Sequence, residues 1–143
     1  MTKQQKLELI DKEAVARFFP EIFAAFSHTT DGRYVYICNI PEDFSIWSQE
    51  AVDYFGLPSA YMKGAGQIWL DYIAPADQEA YAKNIEQLFS GQTDVHDMVY
   101  HARNRNGQYI TCSCKGSIIR DADGNPKYFA GTIVNNENRK IID

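Results

Sequence analysis

Apolar residues recur at three- and four-residue steps near the start of the chain: Leu7, Ile10, Ala14, Phe18, Ile22 and Phe26. This spacing predicts one face of an amphipathic helix between about Thr2 and Thr30. Pro20 interrupts it. Proline suits a helix's first turn better than its interior, so two helices are expected to meet near Phe19. The face has two open roles: packing on its own chain, or forming a dimer or signalling surface. After the turn signal Asp31-Gly32 the period changes. "RYVYICNI" is rich in β-branched and aromatic residues and predicts a strand that ends at Pro41. "FSIWS" predicts a second, shorter strand. In "SQEAVDYFG" Ser48 can cap a short helix, Glu50 sits in its first turn, and Gly56 can take the left-handed closing position.

From Leu57 to Ala74 no period survives, and an irregular segment is expected there. It carries Pro58, Gly64, Gly66 and the apolar run "IWLDYI". Trp69 and Tyr72 could line a ligand lid or pin a loop. "APADQEAYAKNIEQLFSG" predicts a helix, with Pro75 in the first turn, Asp77 near the positive end and Gly91 closing it. Tyr81, Ile85, Leu88 and Phe89 form its expected buried stripe. Three strands follow, at about Val95 to Asn104, Gln108 to Arg120 and Lys127 to Asn135, separated by the turns "RNG" and "DADGNP". Helix, two strands, helices, three strands is an α+β order with an antiparallel sheet, not a repeating βαβ unit.

The 143 residues suggest one domain, and the net charge of -5 argues against nucleic acid or an anionic membrane as partner. No stretch approaches the roughly 18 apolar residues of a membrane span. The N-terminus lacks the apolar core of a secretory signal, and the cysteine count is odd, at three. Both point to a reducing, cytoplasmic location. Nine tyrosines, eight phenylalanines and two tryptophans can fill a core or line a small-molecule pocket.

Cys112 and Cys114 stand one residue apart, with His96 and His101 upstream. Strand alternation puts Ile110, Cys112, Cys114, Gly116 and Ile118 on one face, and the opposite face is mostly polar. Hairpin register decides whether His101 joins the thiols, because a slip of one residue flips every side chain. A two-residue turn places His101 opposite Cys112. A three-residue loop with Gly107 in the left-handed position places Tyr100 there instead, and leaves one apolar face on both strands. The second register is preferred. It makes the cysteines small core residues rather than metal ligands, since two residues on a flat strand converge poorly on one tetrahedral ion. His28 and His96 are expected at the surface.

With these elements in place the sequence resembles a PAS domain of bacterial signalling proteins, over about Tyr34 to Lys140. "FSIWSQEAVDYFGLP" looks like the family's strand and serine-capped helix. "WLDYIAPADQEAY" is similar to its tryptophan and isoleucine-histidine-proline-acid-acid segment, with Ala74 in the histidine's place. "RNRNGQYITCSCKGSIIRDADGNPKYFAG" fits its closing hairpins through Arg120, Asp121, Gly124 and Gly131. The resemblance implies a five-stranded antiparallel sheet in the order 2-1-5-4-3, with helices on one face enclosing a small pocket. It accounts for "YVYICNI" and "YFAGTIV" being apolar on both faces, as central strands would be. The second face then needs a cover, from the N-terminal helices or a dimer mate.

Departures from the family pattern narrow the chemistry. Gly56 to Ala74 holds no cysteine for a covalent flavin adduct, and Pro75 to Phe89 holds no proximal histidine for haem, so both are disfavoured and no cofactor is identified. The family's closing aspartate-isoleucine-threonine is replaced by Asn135, Asn136 and Glu137, which puts the usual signal exit in doubt. "NRK" at Asn138 to Lys140 keeps the arginine-lysine of a linker. An effector domain is expected beyond it, a GGDEF-type diguanylate cyclase before a histidine kinase.

The expected organisation is a helical extension at 1–30, a sensor domain at 31–137 and a linker start at 138–143. The function expected is that of a non-catalytic sensor or homodimerisation module. Its ligand-lining candidates are Tyr54, Trp69, Tyr72, Tyr100 and Cys112, and its interface candidates are Leu7, Ile10, Phe18, Ile22 and Phe26. Two other readings stay open. A small enzyme would draw on Asp53 or Asp71, and a metal or redox protein on Cys112, Cys114 and His101.

Overall fold

The aromatic and β-branched runs become six strands: β1 (Arg33–Asn39), β2 (Phe44–Trp47), β3 (Tyr61–Lys63), β4 (Val95–Arg103), β5 (Tyr109–Arg120) and β6 (Pro126–Asn135). The computed structural model describes residues 32–138, with Thr2, Phe23 and Ala25 besides. The chain divides into two units, Met1–Thr30 and Asp31–Asp143. The predicted N-terminal helices, the interface candidates Leu7, Ile10, Phe18, Ile22 and Phe26, His28, and the linker's Arg139 and Lys140 lie outside the described residues. No helix among the described residues is long and apolar enough to cross a membrane.

The strands form one antiparallel sheet in the order β3-β2-β1-β6-β5-β4. Without β3 this is the expected five-strand order, with the doubly apolar β1 and β6 at the centre. The extra strand falls in the segment expected to be irregular, where Tyr61–Lys63 pairs with Phe44–Ile46 at the sheet edge. The same segment holds a helix, Ala65–Leu70, which begins at Gly64. A three-residue strand and a six-residue helix are too short to display a period, so the sequence showed neither.

The helices are α1 (Gln49–Phe55), α2 (Ala65–Leu70) and α3 (Pro75–Phe89), followed by a 3-10 turn at Asn136–Asn138 after the last strand. The Ser48 hydroxyl accepts from the Ala51 N–H at 3.4 Å, and Gly56 closes α1 in the left-handed conformation. Pro75 occupies the first turn of α3. The Asp77 carboxylate does not cap that helix. It accepts from the backbone N–H of His101 at 2.9 Å and meets the ring Nδ1 at 2.9 Å, tying α3 to β4. These bonds, the backbone one foremost, hold its carboxyl below the ordinary value. Tyr81 and Leu88 are the buried part of the α3 stripe and Ile85 is half-buried. Phe89, expected inside, is exposed, because it ends the helix at the rim of a cleft.

The β4–β5 hairpin takes the three-residue loop. Asn104 N–H donates to the Gln108 carbonyl at 2.8 Å, and Gly107 has φ +81°. Tyr100 therefore pairs with Cys112 and Met98 with Cys114. His101 is exposed on the other face, so it does not converge with the thiols. Both cysteines are fully buried, and burial pushes the Cys112 thiol up to about 12. Such a thiol stays protonated and is a poor nucleophile.

Candidate functional site

One row across the inner face of the sheet explains the internal space. Tyr36 on β1 pairs with Gly131 on β6, Gly131 with Gly116 on β5, and Gly116 with His96 on β4. A Cβ at Gly131 would lie 2.5 Å from the Lys115 carbonyl oxygen and 2.6 Å from the Tyr36 hydroxyl. Two adjacent glycines thus let the Tyr36 ring lie along the sheet, with no side chain between it and His96 in this row. Above this floor is a cavity of about 80 Å³, walled by Tyr36, Trp47, Trp69, Tyr100 and Phe129. Asp43, Gly66, Tyr81, Ile85 and Phe89 line both this cavity and an outer cleft of about 330 Å³.

The walls are ring surfaces in contact. Tyr36 stacks on Trp47 with centroids 5.0 Å apart, and Trp47 lies 5.0 Å from Trp69. The Trp69 indole N–H donates to the Tyr100 hydroxyl at 2.9 Å, which fixes the wall between α2 and β4. Burial raises the hydroxyl pKa values of Tyr36, Tyr81 and Tyr100, so all three are protonated.

His96, expected at the surface, is buried at 1% exposure and lines the cavity. The inward position of this ring has a local reason. Thr93 and Asp94 lead into β4 so that His96, Met98, Tyr100 and Ala102 share the inner face, and Asn84 on α3 satisfies the ring. Its Nδ1 lies 2.5 Å from the Asn84 carboxamide oxygen, and Tyr81 and Phe129 pack against it edge-on. Burial pulls its pKa down to about 4, so the ring is neutral near pH 7. The signal available in the sequence was its even spacing with Met98 and Tyr100.

Of the ligand-lining candidates, Trp69 and Tyr100 meet at this cavity; Tyr54, Tyr72 and Cys112 are not among its lining residues. Tyr72 holds the α1–α2 segment. Its hydroxyl donates to the Gly56 carbonyl at 2.9 Å, Trp69 stacks on its ring, and the Arg103 guanidinium sits 4.4 Å from the ring centre. Cys112 is core, its thiol near the Ile110 carbonyl. Asp53 and Asp71 are exposed and line neither space, and the carboxylate at the cavity itself, Asp43, sits exposed at the mouth.

Tyr54 belongs to the opposite end of the fold, where the chain leaves β6. The Asn135 side-chain amide donates to the Tyr54 hydroxyl at 2.9 Å, and the Asn135 N–H donates to the Gly32 carbonyl at 2.8 Å. Asn136 donates to the Ser113 hydroxyl at 2.8 Å, and Glu137 accepts from the Thr111 N–H at 2.7 Å. The residues that replace the family's closing triplet thus tie the exit to α1 and to β5 by their own set of bonds.

The family model described as the PAS fold matches residues 44–133. No curated protein matches the sequence. Among solved structures, the chain is similar to a sensory box histidine kinase/response regulator from Burkholderia thailandensis, at 16% identity and TM-score 0.59, over 73% of this chain and 77% of that one. It is similar to the N-terminal domain of a diguanylate cyclase with PAS/PAC sensor from Marinobacter aquaeolei, at 18% identity and TM-score 0.60, over 72% and 94%. It is also similar to the PAS domain of a protein from Colwellia psychrerythraea, at 13% identity and TM-score 0.60, over 87% and 99%. At these identities the structures speak for the fold. With the family model spanning more than half of the chain, and the glycine-floored sheet and helix-walled cavity in place, the protein belongs to the PAS-fold family of sensory, regulatory domains.

Proposed function

We propose that this domain senses a small molecule in the cavity above Gly131 and Gly116, and passes its occupancy to a C-terminal effector in a cytoplasmic homodimer. The observation that carries the reading is the cavity itself, walled by rings and opening past α3 to an outer cleft. Its wall reaches the exit: Tyr100 pairs with Cys112, and Cys112 pairs with Asn135, the residue that bonds Tyr54. A ligand can shift this arrangement only by binding one packing more tightly than another. The effector favoured is a diguanylate cyclase, with a histidine kinase next. Support comes from the arginine-lysine linker motif and from the structural neighbours that carry these outputs. The homodimer would use Leu7, Ile10, Phe18, Ile22 and Phe26.

Native mass spectrometry of protein purified from cells tests the sensing part. A bound small-molecule mass is expected, and a protein that carries none and binds nothing in a metabolite screen would overturn it. Combining Phe18→Ala with Ile22→Ala should lower the sedimentation coefficient from dimer towards monomer; unchanged sedimentation counts against the helical dimer. The coding sequence downstream of Asp143 tests the effector. A cyclase or kinase domain there supports the reading, and an immediate stop overturns it.

A further inference from the structure

The polar groups inside the cavity define a kind of ligand, provided that the cavity is a ligand site as proposed above. Tyr36 and Tyr81 are 7% and 9% exposed, and neither hydroxyl has a hydrogen-bond partner among the described residues. Yet no side-chain nitrogen or oxygen among those residues is both fully enclosed and unpartnered. The two hydroxyls therefore open onto cavity space, and both are protonated donors. His96 supplies the complement. The Asn84 carboxamide oxygen can only accept, so the proton sits on Nδ1 and the ring's Nε2 is left as an acceptor. The three groups form one cluster: Tyr81 and His96 are 5.9 Å apart between ring centres, and Phe129 touches both Tyr36 and His96.

Charge and size narrow the choice further. Among the described residues no lysine or arginine lines the cavity or the cleft, while Asp43 and Glu86 lie at the mouth. A buried carboxylate or phosphate would find no countercharge and would pass two anions on entry. The inner space of about 80 Å³ is smaller than the roughly 150 Å³ of an apolar cavity that holds benzene. One ring fits only with its polar edge inward and its other edge in the cleft beside Ile85 and Phe89. The stacked walls favour a flat, aromatic body.

We infer that the cavity takes an uncharged, single-ring aromatic molecule whose edge carries a neighbouring hydrogen-bond acceptor and donor, as a carboxamide or lactam does, and that it rejects the matching carboxylate. The acceptor faces Tyr36 and Tyr81, and the donor faces His96 Nε2.

Titration calorimetry, with amide-resolved NMR on the same samples, tests this using benzamide, benzoate and cyclohexanecarboxamide. Benzamide should bind saturably, shift the Trp69 indole signal, and bind at least about 100-fold more tightly than benzoate. Cyclohexanecarboxamide should bind more weakly than benzamide. Tyr81→Phe should weaken benzamide about fivefold, as for one lost neutral hydrogen bond, while its unfolding curve shows it folded. Benzoate binding as tightly as benzamide, or benzamide shifts that bypass the cavity, would overturn the inference. Should benzamide fail while native mass spectrometry finds an acidic or aliphatic molecule in the purified protein, this inference falls and the sensory reading stands. Should both come back empty, the two fall together.

Discussion

Two ends of the domain's interior treat the same residue type in opposite ways. At the exit end the Tyr54 hydroxyl is bonded by Asn135 and the Tyr72 hydroxyl by Gly56, and the exit turn is tied to β5 by Asn136 and Glu137. At the cavity end the Tyr36 and Tyr81 hydroxyls meet open space over a glycine floor. The exit end is saturated and therefore stiff. The cavity end carries polar groups that only a guest or water can satisfy. In a sensory domain that division is useful: what is left unsatisfied can discriminate between guests, and what is saturated can transmit a position.

The strongest way to break the contrast is to fill the floor. Gly131→Ala drives a Cβ against the Lys115 carbonyl and the Tyr36 hydroxyl, and the carbonyl is backbone that cannot swing away. A loss of about 3 kcal/mol or more is expected by urea denaturation. A loss under about 1 kcal/mol would mean that the sheet yields and that the floor is not rigid.

The second test is pH. The folded His96 ring titrates at about 4, below its ordinary 6.5, so as pH falls the unfolded chain takes up a proton first. Stability from this group is full above about 6.5 and is lost between there and about 4, on the order of 3 kcal/mol in total. Denaturation of His96→Phe over the same range should show a flatter slope; parallel slopes would put the ring in water. The Asp77 carboxyl, held low by His101, acts in a different window, its stabilisation being present above 3.8 and lost as pH drops further.

The smallest effect sharpens the comparison most. Tyr54→Phe removes the acceptor of a 2.9 Å bond from buried Asn135 and should cost about 1–2 kcal/mol. Tyr81→Phe removes a hydroxyl with no partner among the described residues and should cost nothing or slightly stabilise. Equal costs at the two sites, measured on matched denaturation curves, would erase the distinction between the ends.

Much of the fold was legible because it rests on periods and punctuation. The two apolar faces of β1 and β6, the Ser48 and Gly56 caps, Pro75 in the first turn of α3 and the three-residue hairpin loop all follow from local chemistry. The hairpin register also sets Cys112 against Tyr100 and turns His101 away from the thiols. The site was less legible. Trp69 and Tyr100 stand at the cavity as their aromatic character suggested, but Tyr54 and Tyr72 are equally aromatic and serve the frame. Apart from its spacing with Met98 and Tyr100, nothing in the sequence marks His96 as buried, because its partner, Asn84, is 12 residues away and carries no signal of its own. The strand and helix inside Leu57 to Ala74 are shorter than any period can reveal.

The sequence by itself determined the class of fold, the order of the main elements, and which face of β5 turns inward, because these depend on spacing along one segment. Only the tertiary structure decided which inward residues touch a neighbour and which touch empty space. That outcome depends on pairs such as Tyr36 with Gly131, Tyr54 with Asn135 and Asn84 with His96. The partners in each pair come from different elements and meet only when the sheet closes beneath its helices.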